Sequence, residues 1–118
     1  MITVYLYGKC STCRAAVAWL EKNNIPYRAK AIRETPPAIE ELRAALKIHG
    51  GEIRRLFNTS GMDYRALGMK DKLPAMSAAD ALALLAANGN LVKRPFVSAD
   101  GIALNGFNPE SWARTLLT

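Results

Sequence analysis

The chain has 118 residues, half of them hydrophobic, and its 16 Lys and Arg outnumber 10 Asp and Glu to give a net charge of +6. That length supports one self-sufficient core, and the only two cysteines, Cys10 and Cys13, exclude a disulfide-stapled scaffold because a pair three residues apart cannot tie distant segments together. Positive charge favours anionic partners, but the basic residues are scattered without a block of like charges or a basic-aromatic ladder, which argues for solvated surface and against a nucleic-acid groove.

Met1 to Tyr7 carries no basic leader and no cleavage site, and no apolar stretch approaches the roughly 20 residues of a membrane-spanning helix. A soluble, cytoplasmic protein with reduced thiols is expected. In chain order, Ile2, Val4 and Leu6 alternate with Thr3, Tyr5 and Tyr7 as a strand ending at Gly8. A helix follows, with Ser11 and Thr12 available as caps and an apolar face from Ala15 to Leu20 that runs out near Asn23 and Asn24. Ile25 to Ile32 reads as a second strand, and a β-α-β unit of this kind implies a right-handed parallel crossover.

Thr35 is the expected cap of a second helix, with Pro36 and Pro37 in its first turn, an apolar face through Ile39, Leu42, Ala45 and Leu46, and a stop at Gly50-Gly51. From Glu52 to Leu73 the pattern gives short helical pieces broken at Asn58, Ser60-Gly61 and Gly68. Ser77 caps a helix over 78–87, ended by Asn88-Gly89-Asn90. Leu91 to Val97 reads as a strand interrupted by Pro95, with Ile102 to Leu104 as its hairpin partner across Ala99-Asp100-Gly101. Asn108-Pro109 caps a last helix through Trp112 to Leu116. The order β-α-β, helices, β-β-α predicts an α/β fold of the thioredoxin and glutaredoxin group, a single domain over 1–118 with a helical insert at about 35–88.

Thiol exchange needs a thiolate, and a free cysteine has a pKa near 8.5. Cys10 stands after a strand and just before a helix, where free backbone N–H groups and the positive helix end stabilise an anion, and Lys9 and Arg14 can add to that field. Cys13, one turn on, is placed to attack a mixed disulfide on Cys10. These spacings make Cys10 the candidate nucleophile and Cys13 the resolving thiol. A C-x-x-C is also half of a zinc site, but there is no second such pair, and the lone His49 leaves a tetrahedral set one ligand short, so no metal is expected. His49 itself is expected on the surface at a helix end. Arg94-Pro95 is open to two readings: an edge strand or bulge, or a cis proline that turns the backbone towards the cysteines and fixes Arg94 as a cation for a thiolate or oxyanion.

Taken together, Tyr7 to Arg14, Glu34 to Pro37, Glu40 to Leu42, Leu56 to Gly61, Leu91 to Val97 and Gly106 to Asn108 resemble the arsenate reductase (ArsC), Spx and YffB family over nearly the whole chain. The resemblance favours the functional reading of Arg94-Pro95. It implies catalytic roles for Cys10, Cys13 and Arg94, with Lys9, Ser11, Thr12, Arg14 and Pro95 shaping or binding the substrate. ArsC-type enzymes attack arsenate with the cysteine that matches Cys10, use glutathione and glutaredoxin as reductants, and cradle the oxyanion with three arginines. Here only Arg94 has a counterpart: Asn58 and Gly106 stand at the other two positions, and Leu6 replaces a histidine. Arg54 or Arg55 could compensate, although exposed, solvated roles are expected for both.

The paired cysteines and Gly106-Phe107-Asn108 resemble the Spx branch, which binds the C-terminal domain of the RNA polymerase α subunit; Gly51-Glu52-Ile53 falls where Spx makes that contact. Asn58-Thr59 resembles the YffB branch, viewed as a glutathione-dependent thiol reductase. The expectation is therefore a thiol-disulfide oxidoreductase acting on arsenate or a glutathione-linked substrate. Its electron donor would be glutathione with glutaredoxin, or thioredoxin, and it would be a monomer with no bound cofactor and no membrane or direct nucleic-acid partner. The alternative is a redox-sensing regulator that binds the polymerase α subunit.

Overall fold

The computed structural model describes residues 1–117. Strand β1 (Ile2–Leu6) leads into helix α1 (Ser11–Lys22) and returns as β2 (Tyr27–Ala31), paired parallel to β1 with Ile2 opposite Tyr27. The strand β3 (Phe96–Ala99) runs antiparallel to β1, and β4 (Ile102–Asn105) antiparallel to β3, giving the sheet order β2-β1-β3-β4. This is the expected thioredoxin-like arrangement. Gly101 takes φ +73° in the β3–β4 turn, a conformation open to glycine at no steric cost.

Both faces of the sheet are covered, and the period-two alternation of β1 serves both. Ile2 and Val4 face a core with Ala16 and Leu20 of α1 and Trp112 of the last helix, α6 (Pro109–Leu116), while Tyr5 faces the opposite core. That second core is built by helices α2 (Ile39–Ile48), α3 (Met62–Ala66), α4 (Met69–Lys72) and α5 (Ala78–Ala87), which lie between β2 and β3 in the chain. Tyr5 donates from its buried hydroxyl to Glu41 Oε1 at 2.6 Å, and the same oxygen accepts from Ala38 N–H at 3.0 Å, so one carboxylate joins the sheet to the start of α2.

The breaks in the 52–73 segment, the caps Ser77 and Asn108, and the stop at Gly50 and Gly51, with φ +69° and +84°, fall where the residues place them. Several boundaries differ. α2 begins at Ile39 with Ala38 as N-cap, and not at Pro36-Pro37 behind Thr35. The physical reason is that a residue preceding proline is pushed out of the α region, which keeps Thr35 and Pro36 from starting a helix. The Leu91–Val97 strand is shorter and later than its apolar run: Gly89–Leu91 forms a 3₁₀ turn, Val92 bridges Phe57, and the sheet strand begins at Phe96. Asn58 N–H donates to Leu91 O and Lys93 N–H to Leu56 O, both at 2.8 Å, so the chain ahead of Pro95 pairs with the 56–58 segment.

His49 is buried, 8 % exposed, where a surface position was expected. Its Nε2 lies 3.0 Å from Asn105 Oδ1, and Asn105 in turn donates to Lys93 O at 3.1 Å, so β4 satisfies the ring. Among the described residues no helix is long and apolar enough to cross a membrane.

Candidate functional site

Cys10 is itself the N-cap of α1, with extended backbone (φ −96°, ψ 115°). The turn from β1 closes by Cys10 N–H donating to Tyr7 O at 3.1 Å, and Arg14 N–H makes the first helical bond to Cys10 O at the same distance. An N-cap side chain must accept from one of the helix's free N–H groups, a place usually filled by Ser, Thr, Asp or Asn. Here the sulfur fills it: Cys13 N–H donates to Cys10 Sγ at 3.3 Å. Ser11 and Thr12, read as available caps, instead occupy the first turn, because the strand-ending turn delivers Cys10 one residue earlier.

The two sulfurs have opposite environments. Burial pushes the Cys10 thiol up, but donation from the Cys13 thiol and N–H, the positive field of Arg94 and the Thr12 N–H together outweigh it and hold Cys10 below its ordinary value. Burial pushes the Cys13 thiol up to about 12; its contact with Tyr7 backbone and the field of Arg94 oppose this, while Cys10 adds to it. Cys13 is 2 % exposed, and both cysteines are free thiols. The pair therefore combines a half-exposed, acidic sulfur with a buried one that keeps its proton at neutral pH.

Arg94 reaches this site from the segment ahead of β3, and the Arg94–Pro95 peptide bond is cis. The guanidinium carbon of Arg94 lies 4.8 Å from the Tyr7 ring centre. Arg33, just after β2, places its own guanidinium 5.0 Å from the same ring and donates from Nη1 to the Tyr7 hydroxyl at 3.0 Å. Two cations thus stack on one aromatic ring, which holds them against their mutual repulsion. Arg94 Nη1 is buried and has no hydrogen-bond partner among the described residues. A buried charged donor left unpaired is costly, and an atom closed to water is closed to a ligand oxygen too, so only the rest of this guanidinium can meet an anion.

Cys10 and Thr12 open onto a cleft of about 540 Å³ bordered by Asn58, Arg94, Gly106 and Phe107. The two positions where the resemblance places further arginines, Asn58 and Gly106, do line the same space as Cys10 and Arg94. Of the other expected binding residues, Lys9 and Ser11 are exposed and do not line this cleft. Arg14 donates to Gly8 O at 3.3 Å and borders a separate, apolar hollow with Val17 and Cys13. The cation that acts on Cys10 is Arg94, and not Lys9 or Arg14. Pro95 is buried, its carbonyl accepting from Gly106 N–H at 2.9 Å, which ties the Arg94 segment to the end of β4. Arg54 and Arg55 line a neighbouring cleft of about 790 Å³ with Lys93 and Gly51, away from Cys10. The sequence reading quoted Tyr7 and Phe107 only as parts of matching motifs, without a role, and missed Arg33 and Met62, because nothing local marks a residue that meets the cysteine loop only through the fold. Among the described residues no group of three or more His, Cys, Asp and Glu side chains converges as a metal site.

Residues 5–115 match the model of the ArsC family. YusI, an uncharacterized protein of Bacillus subtilis, is 42 % identical over 116 residues, covering 95 % of this chain and 98 % of its own. The global transcriptional regulator Spx of Enterococcus faecalis is 32 % identical over 117 residues, covering 98 % of this chain and 86 % of the regulator. A possible arsenate reductase from Streptococcus mutans UA159 is similar in structure, with a TM-score of 0.86 and 45 % identity over 92 % of each chain.

Proposed function

The chain belongs to the ArsC family, and from that premise we propose that it is a thiol-disulfide oxidoreductase in which Cys10 attacks and Cys13 resolves. The observation that carries this reading is the placement of two free thiols one helical turn apart, Cys10 as the N-cap with its Sγ accepting from Cys13 N–H at 3.3 Å and Cys13 buried behind it; a lowered Cys10 thiol and a raised Cys13 thiol agree with that placement. The thiolate of Cys10 attacks one sulfur of a substrate disulfide, that S–S bond breaks, and the first half leaves and takes up a proton. Cys13, losing its proton as it engages, attacks Cys10 Sγ; the second half leaves as a thiol and a Cys10–Cys13 disulfide remains. The substrate has gained two electrons and the protein has lost two. Two equivalents of an external thiol, such as glutathione, or one reduced glutaredoxin or thioredoxin, restore the pair. Arg94 stabilises the thiolate and the leaving sulfur, and Thr12 N–H adds a donor at the same place.

Arsenate is less well served. A small oxyanion carries one to two charges, each charge-assisted contact to an arginine contributes about 1.5–3 kcal/mol, and the cleft offers Arg94 with Asn58 and Gly106 where a full cradle has three arginines. Arg54 and Arg55 border different space. A regulator that docks on the polymerase α subunit is the second reading, favoured by the 32 % identity to Spx and by the exposed Gly51, with φ +84°, beside Arg54 and Arg55.

The test is alkylation followed by mass mapping, alongside turnover. Iodoacetamide at neutral pH should label Cys10 and spare Cys13, Cys10→Ser should abolish reduction of a glutathione mixed disulfide, and Cys13→Ala should halt the protein as a Cys10 mixed disulfide. Equal, slow labelling of both thiols refutes the reading. Absence of turnover combined with capture of the polymerase α domain, lost in a Gly51→Arg variant, replaces it with the regulator.

A further inference from the structure

Two hollows adjoin each other beside Cys10. The cleft that holds Cys10 shares Asn58, Met62 and Arg94 with a second chamber of about 170 Å³, whose other walls include Tyr7, Arg33 and Asn90. Ligand pockets usually enclose about 300–1,000 Å³, so the smaller chamber suits one end of a ligand whose remainder lies in the larger cleft. Its chemistry is set by two guanidiniums. Arg33 and Arg94 flank Tyr7 at 5.0 and 4.8 Å, and Arg94 Nη1 is buried without an acceptor.

The acidic side chain in the chamber does not answer them. Asp63 Oδ2 accepts from the side-chain amides of Asn88 at 3.0 Å and Asn90 at 3.4 Å. Neither Arg33 nor Arg94 forms an ion pair with a carboxylate among the described residues. The two cations are held by an aromatic ring and a hydroxyl, which leaves the N–H donors that line the chamber for an anion from outside; Arg94 Nη1, closed to solvent, is not one of them. A guanidinium offers five donors in a fixed fork that matches a carboxylate.

We propose that Arg33, Tyr7 and Arg94 form a carboxylate subsite, so that the substrate is a disulfide in which the half bound to Cys10 is a small carboxylate-bearing thiol, with its sulfur at Cys10 and its carboxylate in the smaller chamber. This rests on the oxidoreductase reading and narrows its substrate class. It also gives Arg33 a task that free arsenate would not use, because an ion of that size at Cys10 does not extend into a second chamber. Arg33 is exposed and stands outside the set of groups that make Cys10 acidic, so its removal separates substrate binding from thiol activation.

The experiment uses S-methylglutathione, which carries the carboxylates and cannot exchange, titrated by calorimetry into the reduced full chain. The wild type should bind it. Arg33→Met should weaken binding about five- to tenfold, the loss of one partly exposed charge-assisted contact, and Arg33→Lys should recover part of it. The diethyl ester should bind weakly to wild type and variant alike. The alkylation rate of Cys10 and the thermal midpoint of Arg33→Met should match the wild type. Equal binding by wild type and Arg33→Met, equal binding of acid and ester, or no binding by the wild type overturns the subsite. Since the probe is unreactive, Arg33-dependent binding without turnover of glutathione mixed disulfides refutes the exchange chemistry and leaves the subsite in place.

Discussion

Cys13 gives the sharpest test, because its buried proton should be visible in the protein's stability. From a free-cysteine value near 8.5 the thiol is pushed up to about 12 in the folded chain, first of all by burial. A raised folded value means that its contribution is fully present below the unfolded pKa and is lost as pH rises through the folded one. Between about pH 9.5 and 11 the unfolded chain has lost this proton and the native chain has not, so stability should fall by about 1.4 kcal/mol per pH unit on account of this group alone. Over that interval the loss is about 2 kcal/mol.

The assay is urea denaturation at several pH values, with reductant, of wild type and Cys13→Ala. The substitution removes the slope and adds a constant offset for the missing sulfur. Other groups cancel or are silent. Tyr5, raised by burial and by its bond to Glu41, lowers alkaline stability in both proteins. Cys10 has the opposite sign: its folded value is depressed, so its contribution is lost only as pH falls through that value, and above about pH 9.5 it is ionised in both states. Parallel pH profiles for the two proteins would refute the reasoning, since Cys13 would then titrate like a solvated thiol and would compete with Cys10 as nucleophile.

Arg94→Met should shift the pH midpoint of Cys10 alkylation upward, and Arg94→Lys should restore part of it; an unchanged midpoint in Arg94→Met would remove Arg94 from the site's electrostatics. Lowering the pH from about 9 should cost the reduced wild type stability that Cys10→Ser does not lose, measured by thermal melts, because the depressed Cys10 thiol is more ionised in the folded chain than in the unfolded one as that window opens. Gly89→Ala should destabilise by about 3 kcal/mol or more in urea, since the added methyl would meet the Ile32 carbonyl oxygen at 1.8 Å and backbone must move; a loss below about 1 kcal/mol would show that the 3₁₀ turn shifts freely. Tyr5→Phe should cost about 1–2 kcal/mol by the same measurement, because Glu41 loses a buried donor and keeps only Ala38 N–H.

The placement of the two cysteines was legible from the sequence because its causes are local. A strand that stops before Gly8, a helix that starts at Ser11, and two cysteines one turn apart fix where Cys10 and Cys13 stand, and backbone N–H groups add to the field there. The element order, the caps at Ser77 and Asn108 and the stop at Gly50-Gly51 were legible for the same reason: each depends on a few neighbouring side chains and their backbone preferences.

What the sequence left undetermined depends on residues far apart in the chain. Lys9 and Arg14 neighbour Cys10 in sequence and were expected to add to its field; Arg94, a cation for the thiolate on only one of two readings of its segment, is the residue whose charge lowers Cys10, brought there by β3 pairing with β1. Arg33 and Arg94 share one tyrosine only because β2 and β3 flank β1 in the sheet, and His49 is buried only because Asn105 of β4 receives it. Local propensity and helix polarity act over a turn or two of chain and can be read from the residues. Electrostatic pairing and burial act over a few ångströms of space, and only the folded chain decides which residues come that close.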